Sequence, residues 1–488
     1  MRRSLVAALP RCGRLGGLPG SATRPALNRS IGLLHATAMV VGIIVGASIF
    51  VQPTEISRHV PSVAGMFLVW VLAGLLTFCG ALVCAELAAA FPATGGVYVF
   101  LRQTVSPALG FLWGWAMFWS VHSGIIAATS VVLARYIAWF AGFGDLGIRI
   151  TAIAGVFCLS AVNYVGVRPG SVVQTAITAA KILGIVLMLL AVAVIPHSGP
   201  AADGGLQAAA ATPAAAPGIG FREFVLAISA ALFAFGGWHM VTYAAGETRA
   251  PDKTIPRALL IGTLSVAACY LAMNAACLSV LPLDLVIVSK HVAADAASAL
   301  VGPRGGAAIS VLVIVSSLGV LNGVILAGPR VYLAMACDGL GLRWMSAVHP
   351  RFHTPHHAIL AQAIWASILV ATGTYRALFT RVIYTEWLFF ALMTAGLLRL
   401  RFRPSVPSSA SRRASLYPLV PVVFIISSLA VVANQIAADP LESAKGLLLV
   451  AAGLPVYYLL ARRATEPSAA ADEGADRPAS KGTADANH

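Results

Sequence analysis

The stretch 41–51, VGIIVGASIFV, constrains this chain more than any other. It lies inside an apolar span from about residue 31 to 51, long enough to cross a bilayer. Gly42, Gly46, Ala47 and Ser48 stand where a stable spanning helix favours Leu. Small residues allow neighbouring helices to pack closely; they also allow the helix to come apart. A break at bilayer depth leaves amides and carbonyls that lipid cannot satisfy, so it is tolerated only against protein or a water-filled cavity. The freed helix N-terminus then points its N–H groups and positive dipole end at whatever anion enters.

A second interruption weighs toward breakage rather than packing alone. Residues 233–238, FAFGGW, divide an apolar run of about 221–243, roughly 190 residues after the first break. Two broken helices in corresponding places point to two structural repeats with a binding site where they meet. Composition agrees: 59% hydrophobic and 10% charged residues over 488 positions, with mean hydropathy +0.85, exceed what a soluble domain could bury. The net charge of +15 does not indicate nucleic acid, because the basic residues fall between apolar spans rather than on one face. Seven cysteines, mostly inside spans, show neither a disulfide framework nor metal-ligand spacing.

Residues 1–30 carry six arginines and no acid. A transit peptide has that composition; a cytoplasmic tail explains it equally well and is preferred. Twelve spans follow, at about 31–57 (broken), 64–91, 107–140, 148–166, 170–195, 221–249 (broken), 255–281, 303–336, 357–373, 377–399, 416–436 and 443–461. The domain layout is therefore a tail 1–30, a transmembrane unit 31–462 and a polar tail 463–488 expected to be disordered. Residues 196–220 form an Ala/Pro/Gly-rich loop. With the N-terminus inside, 23 Lys and Arg fall on the cytoplasmic side against 8 opposite, which places both termini in the cytoplasm.

The motifs carry a family resemblance. VGIIVGASIF resembles the break in the first helix of amino acid–polyamine–organocation permeases. Ala85-Glu86-Leu87, Phe91-Pro92 and Gly95-Gly96-Val97-Tyr98 resemble the end of the second helix. FAFGGWH, with Gly246-Glu247-Thr248 and Ile255-Pro256-Arg257, is similar to the sixth helix and the loop behind it. Asn322-Gly323, Gly328-Pro329-Arg330 and Ala336-Cys337-Asp338-Gly339 resemble the eighth helix and its exit. Among subfamilies, FAFGGW and the position of Lys181 look most like the L-amino-acid transporter branch and its bacterial relatives.

The resemblance implies an all-α, LeuT-like 5+5 inverted repeat with broken first and sixth helices and two accessory helices. It implies a secondary carrier of amino acids, permease or exchanger, working by alternating access without sodium. The physics of the breaks gives the same recognition. The α-carboxylate suits the amides after Gly46, at Ala47 and Ser48. The α-ammonium suits carbonyls freed at Ile44, Phe233, Ala234 and Gly236. Phe235 and Trp238 are candidate gates or pocket walls, although an aromatic in a bundle also serves as core. The family's commoner Gly-Ser-Gly reads Gly46-Ala47-Ser48 here, which moves the hydroxyl one place.

Ionisable residues inside spans are functional candidates by default. Lys181, about eleven residues into the fifth span, looks like the lysine that holds its ammonium where sodium-coupled relatives bind a cation; a structural bond to the broken helix is the overlapping alternative. Burial disfavours its charge and carbonyls near Gly42 favour it, so the sequence does not sign the balance. Glu86 and Glu247 are expected to pair with arginine or cap a helix, and Glu386 is deeper with unknown facing. His122 and His239 are either proton carriers or packed side chains. Asn322 is a gate or pocket wall, or lies in a helix interface. The loop histidines His349, His353, His356 and His357 read as an ordinary polar loop rather than a metal site.

No nucleophile-elbow, zinc-protease or nucleotide-binding motif occurs, so the chain reads as no enzyme and needs no cofactor or metal. Neutral L-amino acids are the expected substrates, since the pocket-forming stretches contribute no carboxylate. The alternatives are a proton-coupled symporter of cationic amino acids or polyamines, and a non-transporting sensor on the same fold. Segment 141–147, AGFGDLG, resembles the loop through which animal relatives attach a glycoprotein heavy chain, and it lacks cysteine. The expected partners are therefore an amino acid and the lipid bilayer, without nucleic acid or a covalent heavy chain, in a bacterial inner membrane.

Overall fold

The computed structural model describes residues 27–196, 220–289, 291–374, 384–401 and 417–465. Most of the N-terminal tail, nearly all of the Ala/Pro/Gly-rich loop, the start of the tenth expected span and the tail beyond 465 lie outside these residues. Among the described residues the chain is helical, with one isolated parallel bridge between Ile31 and Thr248.

The first span divides as its small residues require, into α1 (Leu33–Ile44), a 3-10 turn (Ala47–Phe50) and α2 (Gln52–His59). The long α3 (Val63–Ala90) begins at Ser62, whose hydroxyl accepts from the Gly65 amide. After the short α4 (Val97–Thr104), Ser106 caps α5 (Pro107–Ala116) with Pro107 inside its first turn. A π turn (Met117–Val121) joins α5 to α6 (His122–Ala141), and α7 (Asp145–Val165) and α8 (Val167–Val194) complete the first half.

The second half opens with α9 (Phe221–Ala234), which stops at a break and continues as a 3-10 segment (Trp238–Glu247). Gly237 makes this break at φ +93°, where a Cβ would also strike the Ile43 side chain from the first break. Then follow α10 (Pro251–Val280), α11 (Leu283–Val288), α12 (Val292–Val301), α13 (Pro303–Ala327) and α14 (Pro329–Cys337). The chain ends in α15 (His356–Thr372), α16 (Thr385–Arg401), α17 (Leu419–Ala438), α18 (Pro440–Ala451) and α19 (Gly453–Thr465). The short helices α11 and α12 occupy what the sequence pattern left as a connection.

Nine helical stretches among the described residues are long and apolar enough to cross a membrane, which makes this an integral multi-pass membrane protein. The first, ninth and tenth expected spans take shorter forms: a broken helix, the helix 356–372, and a helix whose start is outside the described residues. Pro303–Cys337 has 72% of its apolar window buried against 22% for Val167–Val194, so α13 and α14 are central and α8 is peripheral.

One end of the bundle is closed by polar ties. The Ser30 and Ile31 amides donate to the Glu247 carbonyl, and the Arg249 amide returns to Ile31. Glu247 and Glu86 each meet an arginine. Arg330 reaches Glu247 through Nε and Nη2 at 2.8 and 2.9 Å with both side chains fully buried, while its Nη1 donates to the Leu326 carbonyl. Arg401 pairs with Glu86, and Arg102 pairs with Asp338, which also accepts from the Tyr98 hydroxyl at 2.7 Å. Removing one partner of a buried pair strands the other charge, at about 3–5 kcal/mol. Arg330→Met should therefore lower the melting temperature of the purified protein far more than Arg58→Met, whose pair with Glu55 is exposed; equal shifts would refute the ranking.

Candidate functional site

A cavity of about 970 Å³ lies between the two breaks. The first contributes Ile44, Gly46, Ala47 and Ser48; the second contributes Phe233, Gly236 and Trp238. Val320 and Val324 of α13 and Glu386, Trp387 and Phe390 of α16 complete the inner wall. The mouth is at the end opposite the ion pairs, framed by Arg135 and Tyr136 of α6 and Asp295 of α12.

Seven of the residues expected to form the site thus share one wall, and four do not. Phe233 is 45% exposed toward the cavity, whereas Phe235 is 1% exposed and packs on Trp70 and Tyr270, with ring centroids 6.1 and 4.9 Å away. Ala234 is buried beside it. Asn322 lies in an interface, not on the wall. Its amide nitrogen donates to the Gly170 carbonyl and to Gln174 Oε1, and its Oδ1 accepts from Asn163. Lys181 lies behind the first break.

The main chain at the first break is divided between donors and acceptors. Gly46 caps the 3-10 turn with extended backbone and no side-chain cap, so the first amides of that turn lack intrahelical acceptors next to the cavity. The carbonyls before them are occupied. Lys181 Nζ donates to Gly42 at 2.9 Å, Val45 at 2.7 Å and Ser316 at 3.3 Å, and Ser316 Oγ also donates to Val45 at 2.9 Å. The approach is close because position 42 is glycine: a Cβ there would run into Gln174 and Thr178.

Tyr270 is the residue that sequence reasoning missed. Its hydroxyl is 2.9 Å from both the Ile44 and the Ala234 carbonyls, one from each break. The single proton serves two acceptors, so one carbonyl at a time keeps a full bond and the other is available to a ligand donor. The only signal was a hydroxyl-bearing aromatic in the apolar run 266–273, a position that reads as core. Carbonyls expected to stand open are thus partly engaged, with Phe233 accepting from the Gly236 amide. The two breaks contribute no carboxylate, but Glu386 and Asp295 line the cavity.

A multi-span helical bundle with a central cavity between two broken helices has the anatomy of a secondary carrier. The amino acid permease family model matches residues 31–459. The serine/threonine exchanger SteT of Bacillus subtilis is 32% identical over 446 residues, covering 90% of this chain and 98% of the relative. The human b(0,+)-type amino acid transporter 1 is 27% identical over 440 residues, 89% of this chain and 88% of the relative. The rabbit (Oryctolagus cuniculus) large neutral amino acids transporter small subunit 2 is 27% identical over 449 residues, 89% and 81%. The chain belongs to the amino acid permease family, within the amino acid–polyamine–organocation superfamily; it is a transporter of amino acids and not an enzyme.

The Tyr270 geometry generates a test. Tyr270→Phe keeps the ring packing and removes the shared proton, so transport should fall roughly tenfold, equivalent to about 1.4 kcal/mol. Expression and melting temperature should change little. Unchanged uptake by Tyr270→Phe would mean the hydroxyl only fills space.

Proposed function

We propose that the protein moves neutral L-amino acids across the membrane by alternating access, as a permease or exchanger, independently of sodium, and is held here in an outward-facing state. The cavity between residues 44–48 and 233–238 carries this reading. Its main-chain groups match a zwitterion: amides of Gly46, Ala47 and Ser48 for the carboxylate, and the Ile44, Phe233, Ala234 and Gly236 carbonyls for the ammonium, with Ile44 and Ala234 sharing the Tyr270 hydroxyl. Trp238 and Phe233 bound the side-chain space. Lys181 acts as a coupling or structural charge at the first break. Relatives whose names specify serine and threonine or large neutral amino acids favour uncharged side chains.

The remaining architecture follows from this reading. Twelve spans in a 5+5 inverted repeat, with residues 31–462 as the transporter unit and 1–30 and 463–488 as tails, account for the charge bias that puts both termini in the cytoplasm. The bacterial relative supports a plasma-membrane setting, and the cysteine-free segment 141–147 supports function without a covalent heavy subunit.

Reconstituted protein should take up labelled serine or leucine at the same rate when choline replaces sodium. Gly46→Leu, which fills the cavity beside Val320, should abolish uptake while the protein still reaches the membrane. Normal uptake by Gly46→Leu would remove the assigned site. Stronger competition by arginine or putrescine than by alanine, serine or leucine would overturn the substrate class. Lys181→Ala should impair flux more than expression, and full activity in that variant would reassign the residue.

A further inference from the structure

Glu386 is the one acid on the inner wall, and the zwitterion reading leaves it unused. It is 7% exposed, and its Oε1 has no hydrogen-bond partner among the described residues. No described cation offsets it. Arg102 is paired with Asp338, Arg401 with Glu86 and Arg330 with Glu247, while Lys181 is held on three carbonyls. On the elements packed against α16, α17 carries no ionisable side chain, α4 gives its Tyr98 hydroxyl to Asp338, and α3 sets Cys84 against Met393. An unpaired carboxylate at this depth costs several kcal/mol, roughly, and one proton removes that cost.

Behind Glu386 runs a row of polar side chains. The Tyr243 hydroxyl and the Trp113 indole N–H are buried without partners among the described residues, and the Trp113 ring centroid lies 5.6 Å from that of His239. Phe390, one turn along α16 from Glu386, has its ring centroid 5.0 Å from that of His239. The Tyr243 ring lies 5.6 Å from His239 and 5.7 Å from His122, whose Nδ1 is 3.0 Å from the Tyr332 hydroxyl. Gly328 leaves room for His122 and for Gln362, which a Cβ there would approach to 3.1 and 2.8 Å. Both nitrogens of His239, His122 Nε2 and both ends of the Gln362 amide are buried without partners among the described residues. Buried polar atoms are nearly always satisfied, by ordered water where protein does not serve, and these atoms form a strip of the kind that water bridges. It leads from the cavity wall toward the end closed by the ion pairs.

We propose that Glu386 is a proton-carrying site, loaded through the cavity, and that His239, Tyr243 and His122 form its route to the closed end. Net uptake of an amino acid then moves a proton in the same direction. One proton enters the carboxylate from the outer solution and one leaves past the His122–Tyr332 pair; no other bond changes. A carboxyl that is neutral when substrate is bound also fits an uncharged side chain. The inference rests on the amino acid carrier reading, and assigns proton coupling to Glu386 rather than Lys181.

The test uses the full chain in proteoliposomes with a trapped pH dye. Serine or leucine added outside should acidify the lumen, and an inward proton gradient should raise net uptake several-fold. The uptake that Glu386→Gln retains should carry at least tenfold fewer protons per amino acid and ignore the gradient, while His239→Phe should slow proton movement. Wild-type uptake without acidification, or an unaltered proton ratio in Glu386→Gln, overturns the proposal. So does a Glu386→Gln effect confined to arginine competition, which would make Glu386 a cation subsite. Strict one-for-one exchange, or net uptake without acidification, sinks this inference alone; absence of any amino acid flux sinks the carrier reading. Should Glu386→Gln not fold, a carbodiimide that attacks protonated carboxyls should label Glu386 in the wild type, faster at low pH and slower with substrate. No adduct at Glu386 refutes the proposal equally.

Discussion

A helix broken at bilayer depth strands main-chain carbonyls where lipid offers them nothing, and the arrangement of this protein follows from how that is met. At the first break the Gly42 and Val45 carbonyls are taken by Lys181, with Ser316 supplying a second donor to Val45. The Ile44 carbonyl and its counterpart at Ala234 share the Tyr270 hydroxyl. Left unmet, each buried group would cost about 1–3 kcal/mol, so four together would rival the stability of a domain. The donors come from α8, α13 and α10, which binds the broken segments to three unbroken helices. What remains is the amide face at Gly46, Ala47 and Ser48, and the cavity lies there.

The two ends of the bundle differ in the bonds that would have to yield for a carrier to turn over. The main-chain ties of Ser30 and Ile31 to Glu247, and of Arg249 to Ile31, can be exchanged for water at little net cost if that end hydrates. The Arg330–Glu247 pair cannot, since both side chains are fully buried and separation would strand two charges. Opening of the closed end is therefore cheaper at the foot of α1 than between α14 and the 3-10 segment. Arg102–Asp338 and Arg401–Glu86 are partly exposed and intermediate.

How far the sequence revealed this depended on whether a residue's position along its helix or its facing was at issue. The breaks at Gly46 and Gly237 were legible because small residues interrupt long apolar runs, and Lys181 because a lysine eleven residues into a span must find acceptors. Nine spans among the described residues followed from hydropathy. Facing was not legible: in helices apolar all round, periodicity does not distinguish wall from interface. Phe235 was the expected gate or wall and Phe233 only a carbonyl, yet the Phe233 side chain enters the cavity and Phe235 packs on Trp70. Asn322 turned to Asn163 and Gln174 in an interface whose partners lie some 150 residues away in the chain, and Glu386 turned to the cavity. Tyr270 was hidden because the carbonyls it serves exist only once both breaks are folded together. The short helices α11 and α12 lack the length that makes a hydropathic signal.

The lysine geometry bears directly on which ion can drive the cycle. A lysine has three donors, and here they point to three main-chain oxygens, of Gly42, Val45 and Ser316. A metal cation at this place would need the same oxygens as ligands, because hard cations are held by oxygen donors at short range. The ammonium and such a cation are thus mutually exclusive, and the covalently attached one is present at every step. The donors that hold the first break's carbonyls are supplied by the chain itself. A group through which an ion gradient acts must be able to reach the cavity, lack a fixed countercharge and change its own charge. Lys181 is fully buried and bound on all three sides, whereas Glu386 lines the cavity with one carboxyl oxygen unengaged among the described residues.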